Sequence, residues 1–358
     1  MSNRIATEQY AASLGGKVTP TPTKCTTKSK VESYGLKVNG TYQDIQLVKE
    51  SDVVKEDEIF VTNTMAGDLY IINSGIPEKI TISGANYFTS IAGGYGLVGA
   101  LSVDKGLYVL NPYTSQWENR YEDISGTAYA HLARFDGGWV FYKLRQTTYR
   151  VMIVYDDGRL REYNLVASVY SIACGPYNYC SIGTYSNNIA KMYTITLDSL
   201  PESLTPYSIT SLAPNTVVQG YHQRPRGVTY CYSRHSAYYS NDPAGITWKA
   251  ATKSPIFGSV VTSLYADNKF IIIGDGCKLG ISTDGGITWN SDATIAPYDI
   301  SDLIYEDSNW YAVGIDSTNS SKRFMVKSNV LSLYEVDKQF DLPDYTRQIV
   351  KFKHPEAS

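Results

Sequence analysis

The segment Ser240-Asn-Asp-Pro-Ala-Gly-Ile-Thr-Trp248 returns forty-two residues later as Ser282-Thr-Asp-Gly-Gly-Ile-Thr-Trp289. This recurrence constrains the fold more than any other feature, because a fixed period of this size marks one supersecondary unit stacked against copies of itself. The stretches leading into the two turns, residues 215–242 and 258–284, match in outline. Both open on a Val-Val strand, pass a turn into an apolar strand, and continue through a short alternating strand into Ser-x-Asp. Four strands in about 42 residues is the size of one propeller blade.

Weaker copies of the first strand keep the phase. They start at Ala85, Thr127, Ser168, Thr216, Ser259 and Asp299, about 40 to 48 residues apart. One more, TRQIVKFKH from Thr346, comes too late to be followed by its own blade, whereas IFVTNTMAGDLYIINSG from Ile59 has no first strand before it. The two halves complement each other. The expected fold is therefore all-β: a seven-bladed β-propeller over residues 58–358, its ring closed where the C-terminal strand pairs with the N-terminal blade. Closure matters because an open array leaves strand edges free to pair with other chains. Composition agrees: 31 Tyr, 28 Gly and only 19% charged residues in 358 favour strands and turns over helices.

The two turns resemble the Asp box, Ser-x-Asp-x(1 or 2)-Gly-x-Thr-Trp, of sialidase-like (BNR-repeat) and other β-propellers. Ser240, Asp242, Gly245, Thr247 and Trp248 match it, as do Ser282, Asp284, Gly286, Thr288 and Trp289. The residue types suit a structural turn: short Ser and Asp side chains accept hydrogen bonds from the turn's amides, and Gly takes the positive φ. Thr is expected to start the outer strand and Trp to cover the turn or the gap between blades, burying about 200 Å². The Asp is then a bracket rather than a catalyst.

Residues 1–57 lack the blade period. Ala6 to Leu14 reads as a short helix ended by Gly15-Gly16, TPTPT as an extended linker, and Ser29-Lys30-Val31-Glu32 as a capping box opening a second short helix. Lys17, Lys24, Lys28, Lys30 and Lys37 make this arm basic, and its low apolar content leaves it loosely ordered or ordered against a partner. Ala6-Thr7-Glu8-Gln9, Ser13-Leu14-Gly15-Gly16, Lys24-Cys25-Thr26-Thr27-Lys28-Ser29, Val38-Asn39-Gly40-Thr41-Tyr42 and Gln46-Leu47-Val48-Lys49 together resemble the opening segment of virion proteins of crAss-like and other Bacteroidetes phages. The resemblance covers about the first 55 residues. It implies a docking arm for other virion proteins, with Lys24, Cys25, Thr26, Lys28, Ser29, Tyr42 and Leu47 as docking positions and Cys25 as a packing thiol.

A formal charge of -3 provides no broad basic field, so neither nucleic acid nor anionic lipid is an expected partner. No window is long and apolar enough for a membrane span, and the N-terminus has no apolar stretch of signal-peptide length. The five cysteines (Cys25, Cys174, Cys180, Cys231, Cys277) form no CxxC pair and sit beside no histidine at metal-ligand spacing. Cys174 and Cys180 are placed to face one another across a hairpin. No metal or cofactor is expected. His131, His222, His235 and His354 are scattered, and Asp156-Asp157-Gly158 has the chemistry of a hairpin turn.

Two function classes remain. A sialidase-like, glycan-cleaving enzyme needs three arginines on one substrate carboxylate, the first in an early blade. This chain has no arginine between Arg4 and Arg120, and Arg224-Pro225-Arg226 matches that motif only in fragments. A binding or scaffolding ring accounts for more residues, since tyrosines such as Tyr230, Tyr232, Tyr238 and Tyr239 supply stiff amphipathic contact surface in loops and outer strands. The expectation is a non-enzymatic virion protein, made in the host cytoplasm. It would be a tail or fibre-like component present in several copies, serving as adaptor or binding a host-surface glycan or protein.

Overall fold

The computed structural model describes residues 34–38 and 41–45 and, apart from breaks between strands, residues 58–352. The chain divides into two compact units, Met1–Asp57 and Glu58–Ser358. The second is a β-propeller, in which radial sheets surround a central channel.

Seven four-stranded antiparallel sheets make up this unit. Six are continuous in sequence, with first strands Phe88–Gly94, Ala128–Phe135, Ser168–Cys174, Gly220–Gln223, Val260–Ala266 and Asp299–Glu306. The seventh draws on both ends of the unit. Its first strand is Thr346–Phe352, followed by Ile59–Thr64, Leu69–Asn73 and Ile76–Ile80. Ile59 pairs with Phe352, Val61 with Val350 and Thr62 with Ile349. First strands lie side by side in chain order, and Thr346–Phe352 lies against both Asp299–Glu306 and Phe88–Gly94.

Burial explains the strand chemistry. A middle strand of a blade is covered on both faces by neighbouring blades, so it reads as a continuous apolar run rather than an alternating one. Lys269–Gly274 shows this: Phe270 and Ile272 pack with Trp289 on one face, while Ile271 and Ile273 join a cluster with Leu303 and Phe324 on the other. Fourth strands are wetter; in Ile76–Ile80 no residue is buried.

Six of the seven first strands share a defect, Gly220–Gln223 being regular over its described pairs. Their pairing slips by one residue, inserting Thr89, Tyr170, Val261, Ser301 and Arg347 and one residue at His131–Leu132. A bulge of this kind kinks a strand and removes one residue from its ladder. Polar side chains beside the bulges then reach the next first strand. Ser90 Oγ accepts from Leu132 N at 3.2 Å, and Gln348 Oε1 accepts from Ile91 N at 3.0 Å. Asp302 accepts from Ile349 N at 3.0 Å and Leu303 N at 2.9 Å, and from Thr262 Oγ1 at 3.0 Å, clasping three first strands at once.

In the first unit, Tyr34–Val38 and Thr41–Ile45 form an antiparallel hairpin, from Tyr34↔Ile45 to Val38↔Thr41. Strand from Tyr34 onward bounds the expected second helix, whose opening at Ser29 lies outside the described residues. The reason is local. Asn39-Gly40 between two β-favouring runs is the strongest two-residue hairpin signal, and Gly35 opposes helix. The expected helix at Ala6 to Leu14 and the TPTPT linker lie outside the described residues.

The Asp302 clasp has a pH signature. Burial pushes its carboxyl up to about 6, although the bonds from Ile349, Leu303 and Thr262 each favour the charged form. A carboxyl whose pKa is raised on folding stabilises the native state most below its unfolded value near 4 and loses that contribution as pH climbs through 6. Asp302→Asn should therefore flatten the pH dependence of stability between pH 4 and 7 by on the order of 2–3 kcal/mol. Denaturant unfolding of both proteins across that range measures it, and parallel profiles would refute the assignment.

Candidate functional site

A cavity of about 310 Å³ lies where three neighbouring first strands end, lined among others by Tyr95, Leu97, Ile304, Glu306, Val350 and Lys351. Its shape depends on a close approach. A Cβ on Gly93 would sit 2.1 Å from Val350 Cγ1, so only glycine lets the first strands Phe88–Gly94 and Thr346–Phe352 come together there. Tyr95, at φ 52° in the following turn, is 55% exposed and caps the rim.

Behind this wall lies a charged cluster. Lys351 Nζ is 3.0 Å from Tyr311 Oη, 3.0 Å from Asp307 Oδ2 and 3.7 Å from Glu58 Oε1. Tyr311 Oη donates to Glu58 Oε1 at 2.7 Å, and Lys327 Nζ donates to the same oxygen at 2.5 Å. Burial pushes the Glu58 carboxyl up, but the hydrogen bonds from Lys327 and Tyr311 and the two lysine charges outweigh it and hold the group below its usual range. The Tyr311 phenol is raised, first by burial and then by its bond to the Glu58 carboxylate. The cluster ties Glu58 to the sheet of Asn309–Asp316 and to the strand Thr346–Phe352.

Arg134 lies beside the rim, its guanidinium 5.8 Å from the centre of the Tyr95 ring. Its guanidinium grips Asp156 through both nitrogens, at 2.9 and 2.7 Å, donates to Gly138 O at 2.7 Å, and stacks 4.7 Å from the Trp139 ring. This places the expected Asp156-Asp157-Gly158 turn, with Gly158 at φ 86°, as one side of an arginine clamp. No sequence signal pointed to the partner, because Arg134 lies 22 residues away in the strand Ala128–Phe135.

The second repeated turn is a closed hydrogen-bond system. Ser282 Oγ accepts from Gly286 N at 2.8 Å and donates to Asp284 Oδ1 at 2.8 Å. Asp284 accepts from Thr288 N at 3.0 and 3.1 Å and from Thr288 Oγ1 at 2.5 Å. Gly285 and Gly286 hold φ at 85° and 89°. Trp289 is fully buried and donates from Nε1 to Gly286 O at 3.1 Å. Against desolvation, these bonds hold Asp284 below the usual carboxylate range. One expectation changes: the outer strand starts at Asn290, since the Thr288 hydroxyl is committed to Asp284. At the first turn Ser240 and Trp248 are buried, and Asp242, Gly245 and Thr247 lie outside the described residues.

The remaining expected positions scatter. Lys24, Cys25, Thr26, Lys28, Ser29 and Leu47 lie outside the described residues, and Tyr42 falls in the Thr41–Ile45 strand. Tyr230 and Tyr232 sit in a second strand, and Tyr238 in a third strand is buried, so these positions are not the loops and outer strands expected of contact tyrosines. Among the described residues, Tyr87, Tyr95 and Tyr113 are the exposed tyrosines, at 39%, 55% and 83%. Sequence reasoning missed the cavity, the cluster around Glu58 and the bulges.

Comparison with known proteins gives the fold alone. No protein-family model matches the chain, and no curated protein matches it. Similar solved structures include a protein described as a candidate 6-phosphogluconolactonase from Bacteroides uniformis (TM-score 0.62, 10% identity, covering 83% of this chain and 100% of that one). A protein from Lactobacillus plantarum aligns at TM-score 0.60 and 10% identity over 83% of this chain and 100% of its own. YCF48 bound to a D1 peptide aligns at 0.51 and 11% over 78% and 86%.

The geometry of the second turn makes Trp289→Ala costly. The substitution is expected to lower stability by about 3–5 kcal/mol, measured by denaturant unfolding. A loss below about 1 kcal/mol would mean that the indole is not what anchors the turn.

Proposed function

We propose that the chain is a structural component of a bacteriophage particle, in the tail or a fibre-like appendage. Residues 1–57 dock to other virion proteins, and the propeller acts as an adaptor or as a binding module for a host-surface glycan or protein. The observation that carries this reading is the division of the chain. The propeller takes all its strands from residues 59–352, so the first compact unit is not needed to complete it. A separate opening segment joined to a self-sufficient payload is the organisation that the resemblance to phage virion proteins implies.

Within this reading the seven sheets are the blades of a ring closed by Thr346–Phe352, which pairs with Ile59–Thr64 and lies between its two neighbouring first strands. The turns at 240–248 and 282–289 are Asp boxes, a reading supported by the bonds that Ser282 and Asp284 make to their own turn.

A sialidase-like reading requires arginines free to clamp a carboxylate. Arg134 is held by Asp156, Arg150 by Glu162, and Arg159 by Asp157, and Arg323 lies 3.8 Å from Asp344. Arg347 has no such partner among the described residues, but a sialidase clamp needs three arginines, so these pairings favour a binding ring over a glycosidase. Arg224 and Arg226 lie outside the described residues.

Particles assembled with the full chain or with residues 58–358 alone separate the possibilities. The shortened chain should keep its unfolding midpoint and be missing from purified particles by immunoblot and negative-stain imaging. Normal incorporation would end the docking proposal, and turnover of a sialoside by the full chain would favour the enzyme.

A further inference from the structure

The bulges place side chains at one level of the central channel. A bulge leaves one residue out of its ladder and re-aims that side chain, and these bulged residues all lie on first strands. Exposure agrees. Val261 is 42% exposed and His131 is exposed, whereas Leu132, Ala133, Ile300 and Thr346 around these positions are buried. Two of the expelled side chains are engaged by backbone: Thr89 Oγ1 donates to Leu101 O at 3.4 Å, and Ser301 Oγ lies 2.5 Å from Thr346 O of the neighbouring first strand and 3.1 Å from Val313 O.

Arg347 and His131 are not held in this way. Arg347 is half-buried and has no hydrogen-bond or ion-pair partner among the described residues. His131, at φ 53°, lies over the Tyr142 ring with centroids 5.5 Å apart. Its imidazolium is disfavoured first by desolvation and then by the charge of Arg347. A side chain that is wetted and yet desolvated lines a narrow channel. The first strands of His131 and Arg347 flank Phe88–Gly94 on either side.

We propose that the channel binds a small anionic oxygen ligand, a carboxylate or a phosphate, between the Arg347 guanidinium and the His131 imidazole. An unpaired arginine fork is shaped for such oxygens, and a neighbouring imidazole adds a second donor. The site does not depend on what residues 1–57 attach to.

Calorimetric titration of the full chain with sodium phosphate and with sodium acetate, at ionic strength fixed by chloride, tests this. Saturable binding of at least one anion is expected, at least tenfold weaker in Arg347→Gln and in His131→Gln and unchanged in Lys249→Gln, which removes an exposed cation elsewhere. Phosphate binding alone would assign a phosphate-bearing ligand, and acetate binding alone a carboxylate. Absence of saturation by either anion, or equal affinity in a folded Arg347→Gln or His131→Gln protein, would overturn the site.

A second observation stands apart from the first. Cys174 and Cys180 are a cross-strand pair with their Sγ atoms 2.8 Å apart. Cys180 is buried and Cys174 half-buried. We infer that they are a site of cystine formation by a small disulfide such as oxidised glutathione. The Cys174 thiolate attacks one glutathione sulfur and expels the other as thiolate. The Cys180 thiol then loses its proton to solvent, attacks Cys174 Sγ and expels the second glutathione; two electrons pass to the oxidant. Treated full chain should lose two hydrogens in mass and lose alkylation at these two cysteines only, and Cys180→Ser should stop at the glutathione adduct. Continued alkylation of both thiols in the treated wild-type chain would overturn the inference.

Discussion

The propeller depends on what happens at the inner edge of each blade. A first strand is an edge strand, with amides facing no neighbour in its own sheet, and an unpaired amide shut away from water is costly. Bulges and polar side chains answer this together. The bulge kinks the strand, and the residue beside it, Ser90, Gln348 or Asp302, accepts a hydrogen bond from the adjacent blade's first strand. Each contact is a small increment of about 1 kcal/mol, but every one crosses a blade boundary, where apolar packing alone sets no register.

The same logic covers the seam. Thr346–Phe352 donates to Asp302 on one side through Ile349 and accepts from Ile91 on the other through Gln348, and in its own sheet it pairs with Ile59–Thr64. The cluster of Glu58, Tyr311, Lys327 and Lys351 adds a polar rivet behind it. The cavity in front presents backbone, aromatic and aliphatic surface together with Glu306 and Lys351. Rigidity at the wall and exposed tyrosine at the rim suit recognition of a partner, and they leave the channel level of Arg347 and His131 as the place for a charged group.

Much of the fold was legible in the sequence because it repeats. First strands and apolar second strands recur every 40 or so residues, and both faces of the second strands are buried, so the pattern survives substitution. The turn at 282–289 was legible because each residue type is fixed by a bond within eight residues. The clasps were not. Ser90, Asp302 and Gln348 look like ordinary polar residues in a strand, and their partners lie 42 to 257 residues away. Arg134 and Asp156 escaped notice for a like reason, as each has a sufficient local reading. The hairpin at 34–45 was missed because a capping-box match at Ser29 was weighed without the Asn39-Gly40 turn that follows it.

The central claim is that amides on the inner edges are held by the neighbouring blade. Native-state hydrogen exchange at the amides of Ile91, Leu132 and Ile349 tests it most directly. The account predicts that all three exchange only through global unfolding, with protection matching the middle strands of the blades. Exchange at the rate of an exposed edge strand, while the middle strands stay protected, would contradict it.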